Sequence, residues 1–474
     1  MLWLVIALSL FILQILIILI GEFRHPSKAM AWLFILFIVP VVGFVVYYFL
    51  AQEYRQRKKF KAKHPVNDLQ QLDKRQKPLD YNVDEDMIVG WTEEPRLFTL
   101  LANIPGSLIT RQNEVRVLTN AQTAYPAMLE AIESAERFVH FEFYIVRDDK
   151  TGRDFMNALV RKAREGVKVR CIFDGIGSYK LSDAYVAELR GAGCEVYFFL
   201  PAMIAFFDKR INYRNHRKII VVDGKHGFLG GINIGDEYVG GDKKLGFWRD
   251  THLAFSGDAV FLLQNTFLHD WHFVSGQRLA DPDLYPEHHV ESHKAVQIIS
   301  SGPDAHWDAV LEMYFGAVTT AKKRIYITTP YFIPDPSLSM GLKTAATSGV
   351  DVRIIFPEVP DSRIVNHASL SYMEELMQAG VRFYAYQKGF IHAKVMIVDQ
   401  LLATVGTANL DMRSFYNNFE INAVLFDRDS IRHLEADFLQ DLKDSEELRL
   451  SEFEKRPRLQ KAKEALARLL SPLM

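Results

Sequence analysis

Two uncharged apolar runs open the chain, Leu2–Ile20 and Ala29–Leu50. Each is as long as the ~20 residues a helix needs to cross a hydrocarbon core. Pro40 and Gly43 fall inside the second run, residues that a membrane helix tolerates better than a soluble one. Trp3, Trp32, Tyr47 and Tyr48 stand near the run ends, where interfacial aromatics gather. No basic residue precedes the first run and no small-residue cleavage site follows it, which argues against a secretory leader. The pattern predicts a two-helix transmembrane hairpin over residues 1–51. Arg24 and Lys28 lie between the runs, against Arg55, Arg57, Lys58, Lys59, Lys61 and Lys63 after the second. By the positive-inside rule the chain from about Gln52 onward is cytoplasmic. Residues 52–97, polar and carrying Pro65, Pro78 and Pro95, read as a basic flank and linker.

Beyond the linker the chain repeats itself. Arg137–Tyr144 corresponds to Arg324–Tyr331, Gly166–Phe173 to Gly349–Phe356, and Ala192–Tyr197 to Ala379–Tyr384. Amphipathic stretches such as Arg153–Glu165 and Leu370–Gln378 separate these apolar runs. Strand and helix therefore alternate twice, and an α/β fold of two tandem units follows, each a β-sheet flanked by helices. The units are placed at 98–285 and 286–474, the second ending in an amphipathic helix over 453–470. That helix either lies on a membrane or packs as a final element, and packing is favoured.

The strongest correspondence is chemical. His216, Lys218, Asp223, Gly230 and Asn233 recur as His392, Lys394, Asp399, Gly406 and Asn409, all at one offset of 176. A His and a Lys two apart on a strand share a face. The apolar runs Ile219–Val222 and Val395–Val398 that follow are buried strand, so each pair stands at a sheet mouth. Lys218 and Lys394 offer ammonium donors, and Asn233 and Asn409 neutral ones, for a phosphate. His216 and His392 are placed on either side of phosphorus, one of the two to attack it and the other to protonate the leaving oxygen. A working imidazole needs its far nitrogen held by a carboxylate. Asp250 and Glu420 lie in corresponding downstream positions to do this. Asp223 and Asp399, past the strand ends, either join the chemical set or serve as structural caps.

Other features change the picture less. The net charge is -2, without the basic excess of a dedicated nucleic-acid binder. Cys171 and Cys194 read as core thiols, a pattern that suits a reducing compartment. No metal is expected: zinc spacing is missing, and a lysine beside each histidine repels a cation. His269 and His272 form an H-x-x-H pair in a helix-like run and read as helix or interface residues. The step from Tyr197 to His216 is 19 residues, against 8 from Tyr384 to His392. The extra Phe198–Phe207 segment, followed by Lys209, Arg210 and Arg214, either dips into the bilayer surface or packs on the other half.

The paired H-x-K-x-x-x-x-D motifs with their trailing Gly and Asn resemble the phospholipase D superfamily over roughly residues 100–474. The chain is more closely similar to the bacterial cardiolipin synthases. The hairpin with Pro40-Val-Val-Gly43 in its second span, the run Gly406–Ser414 and the terminal Arg468–Met474 carry that likeness. The resemblance implies two phospholipase D-like units forming a pseudo-twofold catalytic core in the bacterial inner membrane, without metal or cofactor. It implies a covalent phosphohistidine on His216, with His392 as general acid. One phosphatidylglycerol gives up glycerol and a second accepts the phosphatidyl group, giving cardiolipin. The partners implied are these lipids and the bilayer. A hydrolase, a synthase with another acceptor lipid and, less favoured, a membrane-tethered nuclease carry the same motif. Gly231 stands where the second copy has Thr407, so the half-sites differ.

Overall fold

Strands buried on both faces read as unbroken apolar runs, and the two repeats form such strands. The computed structural model describes residues 2–22, 26–50, 92–201, 212–305 and 307–473. The basic flank Arg55–Lys63, nearly all of the linker, and the loop residues 202–211 with Phe206, Phe207, Lys209 and Arg210 lie outside them.

The first sheet has seven strands in the order Asn113–Thr119, Thr251–Gly257, His226–Gly230, Lys218–Val222, Phe138–Phe143, Lys168–Asp174 and Glu195–Phe199. The second repeats that order with Val296–Ser301, Asn418–Leu425, Leu402–Gly406, Val395–Val398, Arg324–Thr328, Asp351–Pro357 and Arg382–Tyr386. In both, the last three strands run parallel and the motif strand is antiparallel to its neighbours.

Helices cover the outer faces. Met128, Phe155 and Leu159 pack on Val139, Phe141 and Phe173 of the first sheet. Met313, Leu342 and Met373 pack on Ile325, Ile354 and Phe383 of the second. The inner faces share one core: Ile219, Val221, Leu229 and Leu253 meet Val395, Ile397, Val405 and Ile421. Helices Asp258–Ser275 and Arg428–Lys443 add Val260, Leu263, Leu434 and Phe438 to that core. Two sheets joined face to face bring the mouths of their motif strands together.

The boundary expected at residue 98 shifts. Helix Pro95–Ala102 buries Leu97, Phe98 and Leu101 in the second unit's core. Ile109–Thr110 then adds a strand beside Val296 and Gln297 of the second sheet. The chain thus straps the second unit before it builds the first, whose sheet begins at Asn113.

The expected hairpin of two membrane-spanning helices is not found among the described residues. Leu2–Gly21 is an uncharged helix of 20 residues (α1). The second run breaks at Val39 into Pro26–Ile38 (α2) and Pro40–Leu50 (α3), of 13 and 11 residues. Pro40 has no N–H to continue the first helix and restricts the residue before it. Met1, the Leu4 side chain and residues 23–25 are outside the described set. Among the described residues no helix is long and apolar enough to cross a membrane.

The amphipathic C-terminal segment packs. Helix Arg458–Leu470 lies on Arg363–Gln378: Arg456 pairs with Glu374 and Glu464, and Lys461 with Glu374.

Candidate active site

Each motif histidine is set just ahead of a buried strand by a short pairing between the halves. Arg214–Asn215 runs parallel to Asn418–Phe419, and the His216 N–H donates to the Phe419 carbonyl at 3.0 Å. In mirror fashion Gly389–Ile391 runs parallel to Phe247–Arg249, and the His392 N–H donates to the Arg249 carbonyl at 2.7 Å. Each pairing leads directly to a carboxylate. His216 Nδ1 lies 2.9 Å from Glu420 Oε2, and His392 Nδ1 lies 2.7 Å from Asp250 Oδ2. The orienting carboxylates come from the opposite halves, so the two dyads are crossed.

Asp250 and Glu420 are fully buried. Burial alone would raise both acids. The facing histidines and the nearby lysines instead hold each at about 2. Burial pulls His216 down to about 4, against the pull of Glu420. Burial and Lys394 pull His392 down to about 3. At neutral pH each dyad is an ionised carboxylate and a neutral imidazole whose proton sits on Nδ1. The Nε2 lone pair is left as the reactive position.

The lysines are buried behind. Lys218 Nζ donates to the His216 carbonyl at 2.6 Å, and Lys394 Nζ to the His392 carbonyl at 2.5 Å. Lys394 lies in the field that acts on His216, and Lys218 in the field that acts on His392. Burial lowers Lys218 to about 7 and Lys394 to about 8. A buried ammonium charge is costly unless an anion compensates it, so two buried lysines at one centre favour an anionic group there. Hence kcat/KM for a phosphodiester substrate is expected to fall as pH rises through about 7 to 8, where the free enzyme loses its ammonium charges. The same limb in kcat should lie at higher pH, because a bound phosphate raises both lysines. A kcat/KM flat to pH 9 on a short-chain substrate would count against the lysines as anion binders.

Asn233 and Asn409 are buried after the following strands. Asn233 Oδ1 accepts from the Ile145 N–H at 3.1 Å. The Asn409 N–H donates to Ser414 Oγ at 3.1 Å, while its Oδ1 is buried without a partner among the described residues. Asp223 and Asp399 are not at the centre. Each sits at the far end of its motif strand with φ of 52° and 53°. Asp223 accepts from the N–H groups of Glu136, Arg137 and Phe138. Asp399 accepts from those of Lys322, Lys323 and Arg324. Of the two readings left open by the sequence, the structural cap is the one these hydrogen bonds fit. His269 faces Asp270 at 3.7 Å, and His272 Nδ1 lies 3.3 Å from the Gln277 carbonyl.

The half-sites differ as Gly231 and Thr407 foretold. Thr407 Oγ1 donates to Glu420 Oε2 at 2.5 Å. A Cβ at Gly231 would collide with the Asp250 carboxylate, whose Oδ1 instead accepts from the Thr251 N–H at 2.8 Å.

Several residues at the centre were not singled out from sequence. Tyr144 sets its ring edge-on to His216 at 4.8 Å, with Lys218 Nζ 5.4 Å from the ring. Trp248 packs on His392 at 5.1 Å. Arg217, between the motif His and Lys, is buried and bonds Asp270, the Ser301 carbonyl and the Glu420 carbonyl. Arg249 bonds Asp441 at 2.9 Å, tying the strand before Asp250 to the last helix of the shared core. Tyr144 ends a repeated run, a signal that was present. The two arginines have no counterpart in the other copy to reveal them.

Two tandem units, each lending a lysine-backed histidine to one centre, define a phospholipase D-like enzyme. The profile described as "Cardiolipin synthase, PLD-like domain" matches residues 128–271 and 315–442, and "Phospholipase_D-nuclease N-terminal" matches residues 1–52. Cardiolipin synthase 2 of Bacillus anthracis is 44% identical over 459 residues, covering 96% of this chain and 88% of that protein. A cardiolipin synthase of Geobacillus sp. is 45% identical over 455 residues, covering 96% and 90%. The chain belongs to the cardiolipin synthase family. A phosphatidylserine synthase of Haemophilus influenzae shares the fold, with a TM-score of 0.61 at 14% identity over 80% of this chain and all of that one.

Proposed function

We propose that this phosphatidyltransferase makes cardiolipin from two molecules of phosphatidylglycerol. The observation that carries the reading is the pair of crossed dyads, which leaves one Nε2 from each half free beside two buried lysines. In the first half-reaction His216 Nε2 attacks phosphorus and the bond from phosphorus to the glycerol oxygen breaks. His392, protonated in the loaded site, gives its proton to that oxygen, and glycerol leaves. In the second, the primary hydroxyl of another phosphatidylglycerol loses its proton to His392 and attacks phosphorus. The P–N bond breaks, His216 is regenerated and cardiolipin is released. Lys218 and Lys394 balance the charge of the phosphoryl oxygens throughout, and Asn233 and Asn409 assist from behind. Transfer outruns hydrolysis where the buried centre keeps water out.

The near full-length likeness to proteins named cardiolipin synthase supports the choice of acceptor. We place the catalytic units at the cytoplasmic face of the bacterial inner membrane. The apolar N-terminal helices act as anchor, and the basic flank that follows faces anionic lipid.

The test is a product assay on purified protein in detergent with phosphatidylglycerol alone and chelator present. Cardiolipin and glycerol in equal amounts are expected, and both should vanish in His216→Ala and His392→Ala. Phosphatidic acid without cardiolipin would make the protein a hydrolase instead.

A further inference from the structure

The second apolar run returns to the level at which it begins. Helices α2 and α3 fold back on one another about the Val39–Pro40 junction. Trp32 meets Tyr47 edge-on, with ring centroids 5.4 Å apart. A Cβ on Gly43 would stand 3.1 Å from Leu36 Cα, tighter than most such contacts, so glycine eases the close approach of the two helices. Each of these pairs is equidistant from the junction, as an antiparallel hairpin demands.

The two ends of the hairpin lie together. A Cβ on Gly21, the last residue of α1, would collide with the Tyr47 hydroxyl near the hairpin's exit. Lys28 pairs with buried Glu22 at 3.6 Å across the entry. The same end is tied to the catalytic core. Leu473 packs on the cluster of Ile18, Ala29, Trp32 and Tyr47. Two residues earlier, Ser471 Oγ lies 2.7 Å from the Tyr372 hydroxyl of the second unit.

The far end is entirely apolar and uncovered: Phe37, Ile38, Val39, Val41 and Val42 are all exposed, Phe37 to 78% and Val41 to 75%. Clustered large apolar side chains at a tip are a costly surface in water. At 1.5 Å per residue, the arms of 13 and 11 residues reach about 20 and 16 Å, well short of the ~30 Å core. Part of the backbone at the break is satisfied within the chain. The Val39 N–H donates to the Ile35 carbonyl at 3.0 Å, the Gly43 N–H to the Val39 carbonyl at 2.6 Å, and Pro40 has no N–H to satisfy.

We propose that α2 and α3 form a re-entrant wedge. It inserts the Phe37–Val42 tip into the nearer leaflet of the bilayer, and it enters and leaves on the side that carries the catalytic units. This rests on the membrane anchoring proposed above. The wedge fixes the depth of the catalytic core against the headgroup layer, because its base is bonded to that core.

A two-span hairpin and a wedge put Ser27 on opposite sides of the membrane. Ser27, exposed at the entry to α2, is changed to cysteine in the full chain. Gln277→Cys, on an exposed stretch of the catalytic core, serves as the reference. Native Cys171 and Cys194 are buried, so the unaltered chain should stay unlabelled. Membrane-impermeant maleimide is applied to sealed vesicles of both orientations. Ser27→Cys and Gln277→Cys are expected to label from the same side, and Val41→Cys from neither. Labelling of Ser27→Cys only from the opposite side, or only after detergent, would overturn the wedge, as would labelling of Val41→Cys. Recovery of the unaltered chain in the soluble fraction would instead defeat the anchoring itself, before any label is read.

Discussion

Glu420→Gln and Asp250→Asn are each expected to cut cardiolipin formation by about 10⁴-fold, the loss that follows when a buried carboxylate orienting a catalytic imidazole is neutralised. Glu420 holds His216 at 2.9 Å and Asp250 holds His392 at 2.7 Å. Replacing a carboxylate oxygen with an amide leaves the ring turned or in the wrong tautomer, while the side-chain volume is kept. The effects should differ in kind. On acid quenching, Glu420→Gln should show no phosphoenzyme, because its partner is the proposed nucleophile. Asp250→Asn should lose the proton donor for glycerol departure. Steady-state rates together with radiolabelled-lipid trapping separate the two. Rates that fell only in proportion to lost folded protein would make the carboxylates structural.

Asp399→Ala, and Asp223→Ala likewise, are expected to cost about 3 kcal/mol of stability, since charge-assisted hydrogen bonds contribute ~1.5–3 kcal/mol each and water replaces part of them. Each carboxylate gathers three backbone N–H groups at 2.8 to 2.9 Å. Each residue also adopts a positive φ that aspartate tolerates better than alanine. The readout is a lower midpoint on heating in detergent, with near-normal kcat well below it. A large loss of kcat at an unchanged midpoint would return both residues to the chemical set.

Much of the core was legible because duplication supplies its own control. One His near a strand is weak evidence, but five positions repeated at a single offset located the motif strands, the histidines and the lysines, and Asp250 and Glu420 were reached separately from their places downstream of each motif. The crossing of the dyads was not legible. It depends on two parallel pairings between halves, Arg214–Asn215 with Asn418–Phe419 and Phe247–Arg249 with Gly389–Ile391. These are too short to leave a periodic signal. Helix Pro95–Ala102 reads like the start of whatever follows it, yet its apolar face fits the later unit. The break at Val39 escaped for another reason. A hydropathy window sums side chains, and Pro40 with Gly43 changes the path of the backbone without changing that sum.

The exchange of carboxylates between the halves also bears on how the chain is made. A nascent polypeptide that has emerged only as far as the first unit carries His216 and Asp250 but neither of their partners, since Glu420 and His392 are still to be translated. Its imidazole has no acid to fix it and its acid has no imidazole to serve. A product that ends before His392 therefore contains neither completed dyad. Both dyads are completed only where the second sheet lies against the first, so assembly of the two halves and assembly of the active site are one requirement.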